Sequence, residues 1–135
     1  MKRINKQLCI PIVAACVLYG GGGARADAVT DWNEIMQATV STPPTNPFFQ
    51  ARWGAIVQLA VFEAVNAIAG RYESYTGLPR TPAGTSMKAA IAQAAHDTLV
   101  ALFASQTPSF DARLEEDLAT IRDARARGNG TDLGR

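Results

Sequence analysis

The sequence predicts an all-α protein, a helical bundle of about four helices behind a short leader, and three observations carry that expectation. Apolar residues recur at three- and four-residue steps through four separate stretches. Clusters of Pro, Gly, Ser and Thr divide those stretches. Hydrophobic residues make up 47% of the chain and charged residues 19%, enough apolar surface to build a core and too much for a disordered chain.

At 135 residues the chain has room for one domain. Thirteen basic side chains against twelve acidic ones leave a formal charge of +1, so there is no electrostatic reason to expect nucleic acid as a partner.

The leader comes first. Lys2, Arg3 and Lys6 form a positive region, and an apolar run follows from Leu8 to Tyr19. Gly20 to Gly23 interrupt it, and Ala24-Arg25-Ala26 supplies the small-x-small pattern of a signal-peptidase site. Residues 1–26 are therefore expected to be a signal peptide, with export to the periplasm or outside and Asp27 as the new first residue. The run is too short for a membrane span and is broken by Pro11. Val13-Ala14-Ala15-Cys16 also matches a lipobox, which would make Cys16 a lipidated first residue. Ordinary cleavage ranks ahead of it because the apolar run continues past Cys16. Cleavage after Ala26 removes both Cys9 and Cys16, which excludes disulfides and cysteine metal sites from residues 27–135.

The first helix is expected from Asp27 to Val40, where Val29, Trp32, Ile35, Met36 and Val40 fall on one face. The run 41–47, with Pro43, Pro44 and Pro47, ends it. Phe48 to Ala69 is apolar around nearly its whole circumference, which predicts the central, buried helix. Its exceptions, Arg52, Glu63 and Asn66, project in nearly one direction. They are either a narrow solvent strip or a buried, satisfied polar set with partners on another helix. Residues 70–84 form a loop carrying Arg71, Tyr72, Tyr75 and Arg80. It is read as a strap over the bundle with its tyrosine rings buried, in preference to a ligand contact.

A third helix is expected from Ser86 to Ala104, capped by Ser86 or Thr85 and thinned by Ala89, Ala90, Ala92, Ala94 and Ala95. A fourth should run from Thr107-Pro108-Ser109 to about Arg127 on the stripe Phe110, Leu114, Leu118, Ile121. Gly128-Asn129-Gly130 would close it, and Thr131-Asp132-Leu133-Gly134-Arg135 is read as the cap and first turn of a fifth. A start signal there leads to the expectation that the chain is a piece of a longer protein.

Little in residues 27–135 could carry chemistry. His96 is the only histidine. Its structural reading, a packed and hydrogen-bonded side chain, is preferred to a general base or metal ligand, because Asp97, about 100° further round a helix, should not easily reach it. Glu115, Glu116 and Asp117 are adjacent and splay apart, which suggests a solvated face. No catalytic, cofactor-binding or metal residue is assigned.

Three segments carry a family likeness. They are Asp27-Ala28-Val29-Thr30-Asp31-Trp32-Asn33, then Phe62-Glu63-Ala64-Val65-Asn66-Ala67-Ile68 with the Tyr72/Tyr75 loop, then Ala94-Ala95-His96-Asp97-Thr98-Leu99-Val100-Ala101-Leu102-Phe103. In that order they resemble the N-terminal part of bacterial vanadium-dependent haloperoxidase-related proteins, of the type 2 phosphatidic acid phosphatase superfamily. The resemblance implies a helical bundle over 27–135. It also implies an oxyanion site, holding vanadate or phosphate, in a C-terminal half built from Lys-x6-Arg-Pro, Pro-Ser-Gly-His and Ser-Arg…His motifs. None of the three occurs in this sequence.

The expected function is thus a non-catalytic N-terminal helical scaffold of an exported haloperoxidase- or acid phosphatase-like protein, binding no cofactor itself. Its expected partner is the missing C-terminal bundle, or a second copy of the chain through exposed apolar surface. The alternative is a complete small periplasmic helical module acting by protein–protein interaction. Coding sequence for the oxyanion motifs just downstream of Arg135 would favour the first. A bundle with an open face should associate or unfold easily.

Overall fold

Short polar side chains begin four of the five helices. A computed structural model describes residues 27–42 and 46–135, and the secondary structure among them is entirely helical. The helices are α1 (Ala28–Val40), α2 (Pro47–Ala69), α3 (Met87–Leu102), α4 (Thr107–Ala119) and α5 (Ala124–Gly134), with a 3-10 turn, Ala104–Gln106, before α4. The expected signal peptide, the Cys16 lipobox and the middle of the 41–47 breaker lie outside the described residues.

Each cap answers the unpaired amides of a helix start. Asp27 accepts from the Thr30 amide (3.0 Å), Asn46 from Phe48 (2.9 Å) with Pro47 opening α2, and Ser86 from Ala89 (3.2 Å). α2 closes on Gly70, whose positive φ of 62° lets its amide bond back to Asn66 O at 2.7 Å.

The central helix is α3, not the more apolar α2. Ala89, Ala90, Ile91, Ala92, Gln93, Ala94, Ala95 and Leu99 of α3 are all buried. Alanine side chains leave room for other helices to close around this axis. The main core joins Trp32, Met36 and Val40 of α1, Val57 and Val61 of α2, Ile91, Ala92, Ala95 and Leu99 of α3, and Phe110 of α4. A smaller cluster of Ala64, Ala90 and Ala94 lies beneath Leu133 of α5. α2 buries one face only, and Phe48, Ile56 and Leu59 on its other faces are exposed.

The C-terminal third departs from expectation. α4 stops at Ala119, not near Arg127, and Asp123 caps a separate helix by accepting from the Arg125 and Ala126 amides, both at 2.9 Å. Gly128 and Gly130 lie inside α5, and Thr131–Gly134 are its last turn, not the first turn of a new helix. The glycines do not terminate a helix as expected; Gly130 and Gly134 are points of close approach. An added Cβ at Gly130 would sit 2.7 Å from the Ala89 Cβ, and one at Gly134 2.6 Å from the Gln93 Cβ. No helix among the described residues is long and apolar enough to cross a membrane.

Candidate functional site

Three polar clusters and one groove gather most of the polar residues singled out in the sequence. The first cluster holds the strap. Glu63 and Asn66, one turn apart on α2, are both buried, and their partners are on the 70–84 loop, not on another helix. Asn66 pairs with the Tyr72 backbone as a strand would: its Nδ2 donates to Tyr72 O and its Oδ1 accepts from Tyr72 N, each at 2.9 Å. Glu63 accepts from the Tyr75 amide (2.9 Å), the Thr76 hydroxyl (3.0 Å) and the Ser74 hydroxyl. Arg52 is exposed and does not join them. The strap expectation holds, but its tyrosine rings are not buried: Tyr72 and Tyr75 are 71% and 80% exposed, with ring centroids 6.0 and 6.4 Å from that of Phe62. Backbone and small hydroxyls hold this loop down.

The Ser74 hydroxyl and then the Tyr75 amide favour the ionised Glu63 carboxyl, and together with Thr76 they outweigh its desolvation and hold its pKa below the ordinary value. A group whose folded value is lowered contributes stability above its unfolded value and loses it as pH falls through the folded one. Protection of the 72–77 amides from hydrogen exchange is therefore expected to fall on acidification through and below the carboxylate range. Glu63→Ala should show low protection in that segment at every pH, while α3 stays protected.

The second cluster centres on Asp117. Its Oδ2 accepts from Trp32 Nε1 (3.0 Å) and Arg113 Nε (3.1 Å), and its Oδ1 pairs with Lys88 Nζ (3.0 Å). Arg113 also reaches Asp31 at 2.6 Å, so α1, α3 and α4 meet here. Glu115 and Glu116 are exposed as expected, whereas Asp117 is buried and corrects the reading of a solvated acidic face. The signal was present in the sequence: Asp117 lies three residues after Leu114 and seven after Phe110, on the buried stripe.

The third cluster surrounds His96. Its Nδ1 lies 2.7 Å from Asp97 Oδ1 and its Nε2 lies 2.7 Å from Asp111 Oδ1 on α4. Asp97 does reach the ring, against the expectation from their spacing on the helix. Gln93 completes the set, donating to the same Asp97 oxygen at 2.7 Å.

Among the described residues no buried side-chain nitrogen or oxygen lacks a partner, and no three His, Cys, Asp or Glu are grouped to hold a metal ion. Each polar cluster is satisfied internally. A mainly apolar groove of about 600 Å³ lies between α2, α3 and the end of α5. Ile56, Leu59 and Ala60 of α2, Ala94 and Ala101 of α3 and Leu133 of α5 supply its apolar lining, and Glu63, Thr76, Asp97 and Thr98 also border it. The α2 residues repeat at three- and four-residue spacing and the α3 pair at seven, so each helix presents a ridge along the groove. Comparison of the chain with family models, curated proteins and solved structures finds no match.

Proposed function

We propose that residues 27–135 are a non-catalytic helical scaffold of an exported vanadium haloperoxidase- or acid phosphatase-like protein. The groove between α2 and α3 seats a helix of the bundle that carries the oxyanion motifs in the resembled family. The groove is the observation that carries this reading: exposed Ile56 and Leu59 stand beside the small side chains of Ala60, Ala94 and Ala101, an apolar surface suited to a helix ridge. The three sequence segments that resemble this family support it.

The polar clusters do not fit an oxyanion. Arg113 and Lys88 are committed to Asp117 and Asp31, and two carboxylates flank His96, which would repel vanadate or phosphate. Export is supported by the leader pattern and by the start of α1, where Asp27, the residue after Ala24-Arg25-Ala26, is itself the helix cap. Removal of residues 1–26 would leave that cap intact.

The test uses the protein recovered from the periplasm of an expressing bacterium. Mass spectrometry is expected to read Asp27 as its first residue, and vanadium NMR to show vanadate remaining free. Sedimentation should show association rising with concentration and weakening in Leu59→Lys. Saturable vanadate binding, or a monodisperse monomer at all concentrations, would overturn the scaffold reading.

A further inference from the structure

The seam between α3 and α4 is closed by a histidine ring whose two nitrogens both face carboxylates. His96 Nδ1 and Nε2 each lie 2.7 Å from an acidic oxygen, of Asp97 and Asp111 respectively, and the side chain is only 12% exposed. An ionised carboxylate can only accept hydrogen bonds. A neutral imidazole has one N–H and one lone pair, so it satisfies one carboxylate and turns a lone pair toward the other. Only a ring with protons on both nitrogens makes the two short contacts to ionised carboxylates at once, and both are then charge-assisted.

We infer that His96 is a proton-operated latch between α3 and α4, closed when both ring nitrogens carry a proton and released at Asp111 when one is lost. Asp111 is the end that lets go. The Asp97 oxygen is also held by Gln93 at 2.7 Å and sits on the same helix as the ring. Asp111 is 54% exposed and rejoins water easily. Its neighbour Phe110 is buried in the core, so release there loosens the start of α4 where it packs on α3.

The charges on the surrounding helices leave this pair to itself. On α4, Arg113 is turned to Asp31 and Asp117, and Glu115 and Glu116 are exposed. On α1, Asp31 is held by Arg113; on α2, Glu63 is held by the strap; on α5, Asp132 pairs with Arg135. Lys88, two turns earlier on α3, is bound to Asp117.

Closing the latch takes up a proton, so by mass action lower pH favours it and higher pH opposes it. The test is a double-mutant cycle with His96→Gln, Asp111→Asn and the double variant, unfolded by urea at about pH 5.5 and about pH 8.5. At the lower pH the coupling between the two positions is expected to change the unfolding constant about fivefold, and at the higher pH to vanish. Coupling equal at both values, or absent at both, would overturn the latch. Nitrogen NMR of the wild-type ring gives an answer that needs no variant. Two protonated ring nitrogens at the lower pH, with Asp111 amide shifts that move as the ring titrates, support it. A neutral ring at that pH, or Asp111 shifts indifferent to the titration, sinks it.

Discussion

Asp117→Ala is expected to destabilise the protein by about 3 kcal/mol in urea unfolding at neutral pH. The indole N–H of Trp32, 1% exposed, would lose its acceptor, and a buried unsatisfied donor costs about 1–3 kcal/mol. Arg113 and Lys88 would lose an ion pair as well. Their side chains are 29% and 38% exposed, so water replaces much of that interaction and the total stays near the lower end for a broken buried pair. Asp117→Asn keeps an oxygen for Trp32 and gives up the charge, so a smaller loss of about 1–2 kcal/mol is expected. Burial pushes the Asp117 carboxyl up, but the hydrogen bonds and charges of Lys88 and Arg113 outweigh it and leave the pKa below the ordinary value. The folded value is the lowered one, so the stabilisation is complete above the unfolded carboxylate value and disappears as pH falls through the folded one. The gap between wild type and Asp117→Asn should therefore narrow on acidification. A gap that widened would mean that the three helices are not joined through this charge.

How much of this was legible in the sequence depends on how local the deciding contact is. Asp27, Asn46 and Ser86 mark helix starts through bonds that reach two or three residues, and each start lies within a residue or two of its expected place. The division between α4 and α5 has no such mark. Thr120-Ile121-Arg122 contains neither Gly nor Pro, and Asp123 resembles any surface acid until its oxygen is seen accepting two amides. Polar roles are further from view. Glu63 finds partners 11 to 13 residues away, within sight of a careful reading of the loop, but the Trp32–Asp117 bond spans 85 residues. The groove was foreshadowed by the excess of apolar residues on α2. Its position was not, because the expectation of a buried α2 gave the central place to the wrong helix.

Gly130→Ala puts the same logic to a test of sign. In most helix interiors this substitution helps, by about 1 kcal/mol, because alanine has the better helix propensity. At Gly130 the added methyl would lie 2.7 Å from the Ala89 Cβ and 3.2 Å from the Ala90 nitrogen, and closer still to the Ser86 carbonyl oxygen. Those neighbours belong to the start of α3, tied to α5 by the Ser86 N–H to Ala126 O bond at 2.9 Å, so they have little freedom to retreat. Overpacking of this kind costs about 1–3 kcal/mol or more, and Gly130→Val, with a branched side chain against backbone, should lie at or beyond the upper end. Gly128, two residues earlier on the same helix, meets nothing within 4 Å. Gly128→Ala is therefore expected to raise the urea midpoint while Gly130→Ala lowers it. The effect on the groove follows from the same contact: Leu133, Gly134 and Arg135 line its end, so an α5 pushed away from α3 widens the seat that a docking helix would fill. Stabilisation by both alanine variants would show that α5 does not pack on α3 through its glycines.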